Sequence, residues 1–210
     1  MKILLMRHGE AMDDVYNTFG GWADDPLSDK GRQQIRDKAD SIKALNIKFD
    51  KIYTSPLKRA NEIGTILAEL IGVSDVEKIP YAIEYNGYGI LSGLEKDGAY
   101  TKYPDQMELL NKTNEYLMDI ENLLDSEKIK MPLVLGAESI YSFVQRVRLL
   151  LETIEASKEE NIILVTHGGI IGFFFKLFLG QRLQKREDCG WILLEGSNGK
   201  YSIIDKNGIE

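Results

Sequence analysis

A chain of 210 residues with 43% hydrophobic and 28% charged residues has the size and mix of one globular domain. Its net charge of −7 argues against a nucleic-acid surface and against a basic face for anionic membranes. A lone cysteine, Cys189, rules out an internal disulfide and points to a reducing compartment.

In chain order, the run Lys2–Met6 reads as a first strand and ends in Arg7-His8-Gly9-Glu10. It is too short for a signal-peptide core, so the expected location is cytoplasmic. Ser28 is an N-cap for a helix whose apolar face is Ile35, Ala39, Ile42 and Leu45. The strand Lys51–Thr54 runs into Ser55-Pro56-Leu57-Lys58-Arg59. A helix follows through Ala60, Ile63, Leu67 and Leu70, stopping at Gly72. Lys78–Tyr81 is the third expected strand, with Glu84 just beyond it. Met107, Leu110, Leu117 and Leu124 suggest one long helix after Pro104, and Ser139 caps another through Ile154. Asn161–Thr166 is a fourth strand and leads into His167-Gly168-Gly169. The apolar stretch Ile170–Leu179 is broken by Lys176 and is too short to span a bilayer, so it reads as a buried helix. Gly190–Glu195 and Lys200–Asp205, joined by Gly196-Ser197-Asn198-Gly199, form an antiparallel hairpin.

Alternating strands and helices predict an α/β three-layer sandwich, with a mostly parallel central sheet and helices on both faces. The chain 1–210 is read as a single domain. Its segment 87–137 is long for a connection and is read as a cap insertion at the carboxyl edge of the strands. The closing hairpin offers a sheet edge on which a homodimer can form.

The sequence holds only two histidines, His8 and His167, each at the carboxyl end of an apolar strand and just before glycine. That edge is where open α/β sheets bind ligands. Parallel strands would bring Arg7, Arg59 and Glu84 to the same edge. Arginine forks bind phosphate oxygens in bidentate fashion. Cations disfavour imidazolium and so keep one histidine neutral and nucleophilic. A carboxylic acid protonates the leaving oxygen and then deprotonates the incoming water. Arg7, behind an apolar strand, needs an anion or a carboxylate partner, for which Glu10 is the candidate. Cys189 reads as a small core residue.

At these residues the chain resembles the histidine phosphatase superfamily, the phosphoglycerate-mutase-like proteins. The resemblance rests on five motifs in order. They are Arg7-His8-Gly9-Glu10, Pro26-Leu27-Ser28 with Gly31, Tyr53-Thr54-Ser55-Pro56-Leu57 with Arg59-Ala60, Gly136-Ala137-Glu138-Ser139, and Val165-Thr166-His167-Gly168-Gly169. It implies that His8 becomes phosphohistidine, that Glu84 is the general acid and base, and that Arg7, Arg59, His167 and Gly168 hold the phosphoryl group. It also implies a small phosphorylated metabolite as substrate, with no metal and no organic cofactor.

Two departures bear on function. Ala11 stands where many relatives have serine or threonine, and Asp14 stands where an asparagine usually helps hold phosphate. Asp14 must turn away, or Asn17 must supply the contact, or the ligand is not an ordinary phosphate monoester. Two segments, Phe19–Asp24 and Tyr88–Lys96, resemble mutases, which makes Gly20, Gly21, Tyr88 and Lys96 candidate substrate contacts. The adjacent arginine pair that grips the glycerate carboxylate in mutases is absent. The expectation is therefore a phosphatase acting on a small phosphomonoester. A 2,3-bisphosphoglycerate-dependent mutase and a non-catalytic phospholigand-binding protein are the alternatives.

Overall fold

The structure, a computed structural model, describes residues 1–210. Six strands form one sheet: β1 (Lys2–Arg7), β2 (Lys51–Thr54), β3 (Val76–Lys78), β4 (Asn161–Thr166), β5 (Arg186–Ser197) and β6 (Lys200–Ile209). Their spatial order is β3-β2-β4-β1-β5-β6. The first four are mutually parallel, β5 runs antiparallel to β1, and β6 runs antiparallel to β5. The helices are α1 (Met12–Val15), α2 (Asp29–Lys43), α3 (Lys58–Ile71), α4 (Lys96–Lys102), α5 (Pro104–Met118), α6 (Ile120–Leu123), α7 (Ile140–Glu155) and α8 (Gly168–Phe178). No helix is long and apolar enough to cross a membrane.

The pleat of the strands sorts their side chains into two cores. Leu4, Met6, Ile52, Ile163 and Val165 face α2 and α3, where they meet Ile35, Ala39, Ile63 and Leu67. Ile3, Leu5, Ile162 and Leu164 face the other way, onto Phe143 and Val147 of α7 and Ile170, Phe173 and Phe174 of α8. Strands covered on both faces are apolar throughout, which is why β1 and β4 read as unbroken runs. A third small cluster joins Phe19 to Leu91, Ala99, Met107, Leu110 and Val134.

The helix ends follow their local chemistry. The Ser28 hydroxyl accepts the Gly31 N–H, and the Ser139 hydroxyl accepts the Ser142 N–H. Gly72 ends α3 at φ 76°, a left-handed conformation that suits glycine.

Three expectations needed correction. The third strand is Val76–Lys78, because Pro80 lacks an N–H and opens a 3₁₀ turn over Pro80–Ala82. The long helix after Pro104 breaks at Asp119, giving α5 and α6. The hairpin strands also begin earlier and end later than their apolar runs, at Arg186 and Ile209.

Candidate active site

Register builds the site. Arg7 of β1 pairs with Thr166 of β4, so the residues that follow, His8 and His167, leave adjacent strands side by side. The His8 N–H donates to the Thr166 carbonyl at 3.1 Å. The two rings meet edge to face with centroids 5.1 Å apart. On the other side of β4, the Ser55 N–H donates to the Val165 carbonyl at 2.9 Å, which brings the end of β2 to the same edge.

The hydrogen bonds assign the tautomers of both rings. His8 Nδ1 lies 2.7 Å from the Gly9 carbonyl, an acceptor only, so Nδ1 carries the proton. His8 Nε2 then carries the lone pair, which accepts from Arg59 Nε at 3.3 Å. The Ser55 hydroxyl oxygen accepts the Leu57 N–H and lies 2.7 Å from His167 Nε2. That hydroxyl has no other acceptor among its hydrogen bonds, so its proton goes to Nε2, which leaves His167 Nδ1–H as a buried donor without a partner. Burial, then the neighbouring Arg59, holds each imidazole well below the ordinary value of 6.5, and Arg7 adds to the effect. Both rings are neutral at neutral pH.

Arg59 opens α3 and is only 2% exposed. Its Nη1 and Nη2 donate to the carbonyls of Ala23 and Gly21 at 2.7 and 2.8 Å. No carboxylate pairs with it. A buried cation fixed by neutral carbonyls leaves net positive charge for an anionic guest. Arg7 is different. Its Nη1 pairs with Asp188 at 2.9 Å and donates to the Arg186 carbonyl. Glu10, the expected partner, bonds instead to Ser28 and Lys30. Asp188 was not legible as a partner, because only the antiparallel placement of β5 beside β1 brings it near.

Glu84 lies half-buried at the start of α8. Its Oε2 accepts the Gly169 N–H at 3.1 Å and its Oε1 accepts the Tyr85 N–H at 2.8 Å. A side chain at position 169 would collide with it, since a Cβ there would stand 2.3 Å from Oε1. The segment carrying Glu84 is clamped by Arg146, which donates to the carbonyls of Tyr81, Ile83 and Glu84. Glu138 completes that guanidinium fork at 2.9 and 2.7 Å. Arg146 carries no sequence signal beyond Glu138 in its motif. Trp22 Nε1 also donates to the Glu84 carbonyl at 2.7 Å.

A cavity of about 840 Å³ opens on this edge, lined by Arg7, His8, Arg59, Glu84 and Gly168. Gly20, Gly21, Tyr88 and Lys96 line it too. Seven cationic side chains face three acidic ones, Asp13, Asp14 and Glu84. Asn17 is a correction: it turns to φ 52° after α1, is exposed and does not line the cavity. Its carbonyl accepts the Lys96 N–H instead. Asp14 does line the cavity, but its Oδ2 accepts the Ala11 N–H at 3.2 Å, which ties that oxygen back to the backbone. Asp13, not singled out by sequence, is a buried carboxyl on the cavity wall, and burial pushes its pKa up. Gly20 makes room for it, since a Cβ there would stand 2.2 Å from Asp13 Oδ2. No group of three His, Cys, Asp or Glu side chains converges in a way that could hold a metal ion.

A neutral imidazole beside a buried arginine, an orphaned imidazole N–H and a carboxyl fixed by backbone donors form a set suited to phosphoryl transfer through histidine. Residues 3–207 match the histidine phosphatase superfamily (branch 1), and the chain belongs to that superfamily. A 2,3-bisphosphoglycerate-dependent phosphoglycerate mutase of Parvibaculum lavamentivorans is 28% identical over 99% of this chain and 92% of its own length. Among solved structures, a phosphoglycerate mutase from Bacillus anthracis superposes with a TM-score of 0.77 at 23% identity, covering 99% of this chain and 92% of that one. An alpha-ribazole phosphatase from Shigella flexneri gives 0.74 at 20% identity, covering 99% and 96%.

Proposed function

We propose that the protein is a phosphomonoesterase that works through phospho-His8. The observation that carries this reading is the tautomer of His8, with Nδ1–H held by the Gly9 carbonyl and the Nε2 lone pair facing Arg59. In this reading Nε2 attacks phosphorus while the ester P–O bond breaks, and the Glu84 carboxyl gives its proton to the leaving oxygen. Arg7, Arg59 and the free Nδ1–H of His167 neutralise the phosphoryl oxygens, with Gly168 beside them. The Glu84 carboxylate then takes a proton from water. The water oxygen attacks phosphorus, the P–N bond breaks, and phosphate leaves with His8 restored. Residues 87–137 act as a cap over this edge and limit the entry of bulk water.

The test is release of phosphate from p-nitrophenyl phosphate by wild type and by His8→Ala. Loss of release in the variant supports the reading. Equal release by the two proteins removes His8 as the nucleophile, and no release by either leaves the phospholigand-binding alternative.

A mutase is the second reading. It is favoured by the mutase relative just described and by Lys96, Tyr88 and Gly21 lining the same cavity. Conversion of 3- to 2-phosphoglycerate, primed with bisphosphoglycerate, would support it. Absence of conversion removes it.

A further inference from the structure

The cavity extends far beyond the two histidines. Five residues of α8 line it: Gly168, Gly169, Gly172, Phe173 and Lys176. Their spacing puts them on one helix face, and eight residues at the α-helical rise run about 12 Å. Facing them is one stripe of α5, with Leu110, Asn114, Leu117 and Met118. The cavity is therefore a groove between α8 and α5, with the histidines at the start of α8.

The middle of the groove is apolar. Phe143 and Phe173, both buried, pack at a tilt with centroids 4.9 Å apart and form its floor. Glycine at position 172 keeps it clear, for a Cβ there would meet only Arg186 Nη1 at 3.7 Å and Leu183 Cδ2 at 3.8 Å. The far end is cationic. Lys176 Nζ donates to the carbonyls of Leu117 and Met118, which closes the groove. An ammonium has three donors, so one remains free. Arg182 lines the cavity, is exposed, and pairs with no carboxylate or carbonyl.

We propose that this groove takes a phosphomonoester with an elongated, mostly apolar organic group that ends in a second anion, the apolar part lying between α5 and α8 and the anion meeting Lys176 and Arg182. A phosphate on a short polar stem would fill only the histidine end. The proposal rests on the phosphomonoesterase reading for the position of the phosphate. It is tested without turnover.

The experiment measures the binding of methylphosphonate, octylphosphonate and 8-phosphonooctanoate to the full chain by titration calorimetry. Octylphosphonate binds at least about tenfold tighter than methylphosphonate, the return from burying roughly two methylene groups. The terminal carboxylate adds about tenfold more, as a charge-assisted hydrogen bond should. Gly172→Leu plugs the groove and removes the gain from the alkyl chain, with methylphosphonate as the control for the phosphate end. Arg182→Gln removes the gain from the carboxylate alone. Equal affinity of wild type for the three ligands overturns the proposal, as does an alkyl gain that persists in Gly172→Leu or a carboxylate gain that persists in Arg182→Gln. Failure of the histidine chemistry reads out separately, in p-nitrophenyl phosphate release.

Discussion

The Ser55 hydroxyl, 2.7 Å from His167 Nε2, holds one nitrogen of a wholly buried ring whose other nitrogen, Nδ1, has no partner. The pair comes from the ends of two strands, since Ser55 follows β2 and His167 follows β4. In the proposed mechanism Ser55 is a positioning residue, acting on the phosphoryl group only through the imidazole. Which ring nitrogen carries the proton is set by the bond the other one makes. Ser55→Ala releases that constraint. We expect kcat for p-nitrophenyl phosphate to fall roughly 100-fold, on the scale that misplacing a catalytic group costs. KM should change little, because Arg7 and Arg59 still bind the ground state. An unchanged kcat, or a change in KM alone, would show that the tautomer of His167 does not matter.

Glu84 is tested by leaving group. p-Nitrophenolate departs without much help from an acid, whereas an alkoxide needs a proton as the bond breaks. Glu84→Gln keeps the side-chain oxygen that accepts a backbone N–H and removes the proton carrier. Turnover of an alkyl phosphate should drop on the order of 100-fold more than turnover of p-nitrophenyl phosphate. Equal slowing of both would move the acid role to Asp13 or Asp14, the other carboxyls on the cavity wall.

The two buried histidines also set a pH dependence. Each ring is held below the ordinary value of 6.5 in the folded protein, and each returns to it on unfolding. Below that value the unfolded chain binds protons that the native state refuses. Stability therefore falls as pH drops under 6.5, by about 1.4 kcal/mol per pH unit for each histidine, until the depressed folded values are reached. Above 6.5 the pair contributes no slope. Urea unfolding from about pH 8 down to about pH 5 checks this, with His8→Gln/His167→Gln as the flat reference. The acid limb of kcat/KM should likewise lie below 6.5. A double variant with the full wild-type slope would contradict the assignment.

Much of this was legible in the residues. β1, β2 and β4 announce themselves because strands buried on both faces must be apolar throughout. Ser28, Ser139 and Gly72 mark helix ends because their local chemistry decides them. His8 and His167 follow strands and Arg59 lies at a helix start, so a parallel sheet gathers them, while Glu84 reaches them from the loop after the 3₁₀ turn. β3 starts two residues and ends three residues earlier than its apolar run, because it pairs only with β2 and carries mixed polar residues. Asp188 as the partner of Arg7, and Arg146 as the clamp on the Glu84 segment, depend on elements far apart in the chain. No local pattern encodes such contacts. Asn17, one of three ways to reconcile Asp14 with a phosphate, is exposed and does not line the cavity, because the chain turns to φ 52° there after α1.

The central claim is a covalent bond between phosphorus and His8 Nε2. It is tested most directly by mixing the protein with p-nitrophenyl phosphate, quenching in base to preserve acid-labile phosphohistidine, and locating the adduct by mass spectrometry. One phosphoryl group is expected on the peptide containing His8, more abundant in Glu84→Gln and absent in His8→Ala. An adduct on His167, or turnover with no adduct on either histidine, would contradict it.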